Sequence, residues 1–124
     1  MSETCCAAKK TLIFACSGGS NVGQITNEAA KRLDQEGLGS FYCLAGLGAR
    51  LDGFIANAQG ADEITVLDGC SVACAKKALE ACEVPISTYV VATDLGIEKG
   101  HHFNIAEAEI VAVCDAAKQA SASG

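Results

Sequence analysis

The chain has 124 residues, half of them apolar and 19% charged, which suits one folded domain of ordinary size and excludes disorder over most of its length. Nine basic residues against fifteen acidic ones give a net charge of −6, which argues against a nucleic-acid footprint built on clustered Lys and Arg. No apolar run approaches the roughly 18 residues of a membrane helix, and residues 1–10 lack the apolar stretch of an export signal, so the expected setting is cytoplasmic, away from membranes.

Residues 1–9 read as a flexible tail, 10–120 as a single α/β domain and 121–124 as a second flexible tail. The first apolar run, 11–16, has the near-continuous hydrophobicity of a strand buried on both faces. Ile25, Ala29 and Leu33 then recur at helical spacing, and Gly37 is placed to end that helix. A second strand is expected over 40–45, followed by a helix carrying Leu51, Phe54, Ile55 and Ala58 on one face. The third strand spans 63–68. The helix after it presents Val72, Ala75 and Leu79 inward and Lys76, Lys77 and Glu80 outward. Pro85 separates it from a fourth strand over 87–93. A polar loop, 94–103, holds both histidines. Asn104 and Glu107 then have capping-box spacing ahead of a terminal helix, about 105–119, with Ile110, Val113, Cys114 and Ala117 on one face.

Strands alternating with helices predict an α/β fold: a four-stranded parallel sheet flanked by helices, a flavodoxin- or Rossmann-like three-layer sandwich. In such sheets ligands bind outside the carboxyl ends of the strands. With a flavodoxin-like order, 2-1-3-4, the switch point falls between the first and third strands, bringing Cys16 and Cys70 side by side. Cys43 and Cys74 reach the same edge, Cys43 late in the second strand and Cys74 one helical turn after Cys70. Eight cysteines in a chain without an export signal point to metal ligands, reactive thiols or small buried hydrophobes rather than a disulfide framework. Thiols converging at one edge suggest a metal or redox site.

The loop Cys16-Ser-Gly-Gly-Ser-Asn-Val-Gly-Gln24 joins a strand to a helix, where glycines permit close approach and free N–H groups favour an anion or thiolate. It looks like the low-molecular-weight phosphatase and arsenate-reductase loop, but Val22 stands where that loop has its arginine. It also resembles the pyrophosphatase Ser-Gly-Gly-x-Asp loop, with Asn21 in place of the acid, and it is not a Walker loop. A plain helix-capping turn is the simplest alternative. In Asp68-Gly-Cys-Ser-Val-Ala-Cys74, the spacing of four places Cys70 and Cys74 on one face of an opening helix, where they share a metal ion or form a disulfide.

These two segments, with Cys43-Leu-Ala-Gly-Leu-Gly48 and Thr93-Asp-Leu-Gly-Ile-Glu-Lys99, resemble the DGC-domain proteins, described as zinc-binding, from about Lys10 to about Val113. What the resemblance implies is a Zn²⁺ site of four cysteines, carried here onto Cys16, Cys43, Cys70 and Cys74. Lys99 is placed to balance thiolate charge. His101 and His102 are candidate replacement ligands or plain loop residues, and Cys5 and Cys6 are candidates to join the metal or pair with each other. Cys82 and Cys114, beside apolar helix residues, read as core.

The expected function is zinc binding through four thiolates, with no reaction assigned and no protein partner identified. The alternative is a thiol redox enzyme or sensor, with Cys16 as nucleophile and Cys70 or Cys74 as the resolving thiol. A third reading, an interaction module with the thiol edge as a docking surface, rests on Leu38 and Leu47, expected to be exposed near glycine turns.

Overall fold

Thr11–Ala15 (β1) and Glu63–Asp68 (β3) are buried at every position after the first. Strands that apolar on both faces need a layer of helices above and below, which the rest of the chain supplies. The structure is a computed structural model and describes residues 9–123. Four parallel strands, completed by Ser40–Phe41 (β2) and Thr88–Val91 (β4), pair in the order β2-β1-β3-β4. This is the flavodoxin-like order, with its switch point between β1 and β3.

Side-chain alternation assigns the two faces. Ile13 and Ala15 point to the layer made by α1 (Asn21–Gln35) and α5 (Glu107–Ser123), where Ile25, Leu33 and Val113 are fully buried. Leu12 and Phe14 point to the layer of α2 (Leu44–Gly48), α3 (Asp52–Gln59) and α4 (Cys74–Ala81), packing on Leu79 and on Leu47, which is buried in this core and not exposed as expected. The expected three-layer sandwich is therefore present. At the amino edge, Lys10 pins the chain's entry into the sheet: its carbonyl accepts the N–H groups of Asp62 (2.8 Å) and Glu63 (3.2 Å), and its N–H donates to the Asp62 carboxylate (2.7 Å).

Gly37 ends α1 as expected. At φ +86° it lets Leu38 N–H reach Leu33 and its own N–H reach Asp34, the bond pattern of a Schellman stop. Several boundaries differ from expectation. The second strand has only two residues; after Tyr42 N–H bonds Ile13 (2.8 Å) the chain turns into α2, and Cys43 becomes the residue before that helix. The fourth strand stops at Val91 and continues as a 3-10 turn, Ala92–Leu95. The terminal helix starts at Glu107, not 105. Glu109 accepts the Ala106 N–H (3.0 Å), while Glu107 pairs with Arg32 of α1 instead of capping. α5 runs on to Ser123, through the segment read as a tail, and residues 1–8, with Cys5 and Cys6, lie outside the described residues. Among the described residues no helix is long and apolar enough to cross a membrane.

Candidate functional site

The loops leaving β1 and β3 both press against the start of α1. A Cβ on Gly23 would stand 2.5 Å from the Gly18 carbonyl oxygen, and one on Gly69 would stand 2.9 Å from the Val22 carbonyl carbon. Only glycine permits backbones this close. Cys16 N–H donates to Leu67 (3.0 Å), carrying the β1–β3 ladder one residue beyond the strand. Cys16 and Cys70, both half-buried, consequently line one cavity of about 230 Å³, together with Cys74 and Lys99. Cys16 also forms a wall of a second, apolar cavity of about 500 Å³, and Cys43 lies on that cavity. The four expected thiols are thus divided three and two, with Cys16 common to both groups.

The loop between Cys70 and Cys74 is a turn, not the opening of a helix. Ala73 adopts a left-handed conformation (φ 59°), and α4 begins only at Cys74. The expected shared helical face is therefore replaced by a turn whose two ends face one cavity. Val72, expected in the core, is 52% exposed for the same reason. Asp68 closes the turn. Its carboxylate, 1% exposed, accepts the N–H groups of Ala75 (2.9 Å) and Lys76 (3.0 Å) and the hydroxyl of Tyr89 (2.8 Å). It caps α4 from across the turn, doing what an N-cap side chain usually does from next door. Burial, and then the bond to Asp68, hold the Tyr89 hydroxyl protonated well above the usual tyrosine range.

Three further contacts shape the thiols. Thr26, fully buried, gives its hydroxyl hydrogen to the Gly23 carbonyl (2.7 Å), leaving Cys16, 3.6 Å away, to act as donor toward its oxygen. Lys99 reaches the Cys70 sulfur at 3.4 Å. The Lys99 segment is fastened by Asn21, 2% exposed, whose amide donates to Glu98 (2.8 Å) and accepts from the Gly100 N–H (2.7 Å). Asn21, read from sequence only as the substitute for an acid, is thus the latch that brings Lys99 over Cys70. Thr26 carried no signal in the sequence, being a polar residue inside a helix.

The remaining candidates sit elsewhere. His101 stacks edgewise on Phe103 and His102 accepts the Asn104 N–H (3.2 Å); both are exposed and neither lines a thiol cavity. Cys82 and Cys114 are each 4% exposed and bond the Leu47 and Ala29 carbonyls, as core thiols do. Burial pushes the Cys114 thiol up. Among the described residues no three His, Cys, Asp or Glu side chains are gathered closely enough to hold a metal ion. The thiols share an edge without forming a finished shell.

Comparison with known proteins places this geometry in a family. The chain is 36% identical over 88 residues to the anaerobic and virulence modulator AnvM of Pseudomonas aeruginosa, an alignment covering 71% of this chain and 67% of the relative. No solved structure matches it. The family model described as the DGC domain matches residues 12–117, spanning β1 through most of α5 and all four edge cysteines, and the chain belongs to that family.

Proposed function

We propose that the chain binds zinc at the carboxyl edge of the sheet through Cys16, Cys70 and Cys74, with Cys43 as the fourth ligand. The observation that carries this reading is the single cavity lined by three thiols, beside a second cavity that adds Cys43 and shares Cys16. The donors fit zinc in kind, since thiolates are the soft ligands of closed structural zinc sites, and they share one edge of the sheet, where strand ends distant in sequence meet. Bound zinc would tie the exits of β1 and β3 and the starts of α2 and α4 into one unit. Four thiolates around a dication would leave a double negative charge, which the Lys99 ammonium would partly offset. Asn21 sets that ammonium in place, and Asp68 fixes the turn carrying Cys70 and Cys74.

The test is zinc content of protein purified reduced and without chelator, alongside Cys→Ser variants at 16, 43, 70 and 74. One equivalent in the parent, falling in each variant, supports the site; a zinc-free parent with all thiols reduced removes it. A second reading, a redox thiol centre, is favoured by the placement of Cys16, Cys70 and Cys74 on one cavity, where a nucleophilic and a resolving thiol face each other. In that case mild oxidant joins Cys70 or Cys74 to Cys16 in the zinc-free protein. The relative's name describes a modulator, which accords with either reading as a sensor.

A further inference from the structure

Among the described residues the Lys99 ammonium has one polar partner, the Cys70 sulfur at 3.4 Å. An exposed lysine is ordinarily free to swing, but the backbone under this one is fastened on both sides. The buried Asn21 amide donates to the Glu98 carbonyl (2.8 Å) and accepts the Gly100 N–H (2.7 Å), and the Asn21 N–H donates to the Gly100 carbonyl (3.2 Å). Amine and thiol meet on the cavity of about 230 Å³, where Lys99 is the sole charged side chain. Val22 and Val72 add apolar wall, and a Cβ built on Gly18 or Gly19 meets nothing within 4 Å, so there is room beside the pair. The Ser20 oxygen on the same wall accepts the Gly23 N–H (3.2 Å) and keeps its hydroxyl hydrogen to offer to a carbonyl oxygen.

A thiol and an amine held together carry chemistry that neither has alone. Thiols exchange with thioesters, and an amine beside the new thioester takes the acyl group as the more stable amide. An acyl carbon bonded to the Cys70 sulfur and turned toward Lys99 stands within the roughly 3.5 Å at which a held pair reacts as one molecule.

We propose that Cys70 accepts a short, uncharged acyl group from a soluble thioester and passes it to Lys99, which makes Lys99 a self-acylated position. In the first step the Cys70 sulfur bonds the acyl carbon, the donor's carbon–sulfur bond breaks, and the donor leaves as a thiol with the proton that Cys70 gives up. In the second, the Lys99 nitrogen, its ammonium proton released to solvent, bonds the same carbon. The bond to Cys70 breaks, and the proton shed by the amine restores the thiol. Nothing is oxidised or reduced. The amide is neutral, so the cavity loses its one charged side chain and the Lys99–Cys70 contact together. The steps need neither a metal nor an oxidant, so the proposal stands apart from the zinc and redox readings.

The donor for the test is S-acetyl-N-acetylcysteamine, applied to reduced, chelator-treated protein, with acetylation at each lysine followed by peptide mass spectrometry. Lys31, exposed on α1 and paired with Glu28 (3.2 Å), is the internal reference. Lys99 is expected to acetylate at least about tenfold faster than Lys31, the advantage of a pre-placed pair. N-acetoxysuccinimide, which acylates amines directly, is expected to show no such preference. In Cys70→Ser the thioester's preference for Lys99 falls to that of the direct reagent, and Asn21→Ala, which frees the segment, lowers it about threefold or more. In Lys99→Arg the acetyl group stays on Cys70, from which hydroxylamine releases it. Circular dichroism checks the fold of each variant, and Cys70→Ala replaces Cys70→Ser where the latter does not fold. Equal rates at Lys99 and Lys31 in the parent, an unchanged preference without the Cys70 sulfur, or no hydroxylamine-labile acetyl on Cys70 in Lys99→Arg overturns the proposal. An undiminished preference in Asn21→Ala overturns the part given to the latch. Zinc content and disulfide formation, measured separately, decide the two earlier readings whichever way this result falls.

Discussion

The two sides of the carboxyl edge are built to different standards. On the β3 side, the turn bearing Cys70 is held by a buried carboxylate with three donors, by glycine-mediated contact with α1 and by the Asn21 latch. On the β2 side, Cys43 stands exposed between a two-residue strand and an uncapped five-residue helix, over an open apolar cavity. The difference teaches that one half of the thiol centre is preorganised by side-chain and backbone contacts, while the other is held by few.

The largest effect that tests this contrast is Asp68→Ala, which orphans two helix-end N–H groups and the Tyr89 hydroxyl. A loss of about 3 kcal/mol is expected in urea unfolding. Gly23→Ala, forcing a Cβ against the Gly18 backbone, is expected to cost about 2 kcal/mol by the same measurement. Tyr89→Phe removes one bond to Asp68 and should cost about 1 kcal/mol near neutral pH. It also carries a pH signature. Because folding raises the Tyr89 value, its contribution is complete below the usual tyrosine range and is lost as pH climbs above it, when the unfolded chain ionises first. The alkaline decline in stability should therefore be shallower in Tyr89→Phe. The smallest effect belongs to Cys43→Ser, expected within about 0.5 kcal/mol of the parent in zinc-free protein. A loss there comparable to Asp68→Ala would erase the contrast.

Much of this arrangement is legible in the residues. Continuous apolar runs give the buried strands and helical spacing gives the layers, while the strand order that joins Cys16 to Cys70 is one of several that alternating elements permit. What escaped reading depends on contacts distant in sequence. Periodicity carries Val72 into a helix because nothing local shows that Ala73 goes left-handed and that Asp68 caps α4 from the far side of the turn. Residues 40–45 read as strand by composition, yet the chain turns after Tyr42 and Gly46 packs so closely on the Phe54 ring that a Cβ there would stand 2.5 Å from it. Asn21 is invisible as a latch until the segment around Lys99 is folded against α1, 77 residues away in sequence at Glu98.

The anchoring of Lys10 to Asp62 and Glu63 has a practical consequence. The chain enters at the edge of the sheet opposite the thiols, separated from Cys16 by the whole of β1, about 17 Å of strand. A surface tether joined ahead of Lys9 would therefore orient immobilised molecules with both cavities toward the solution. Sensor-chip measurements of metal or ligand capture can then be made with the binding edge unobstructed.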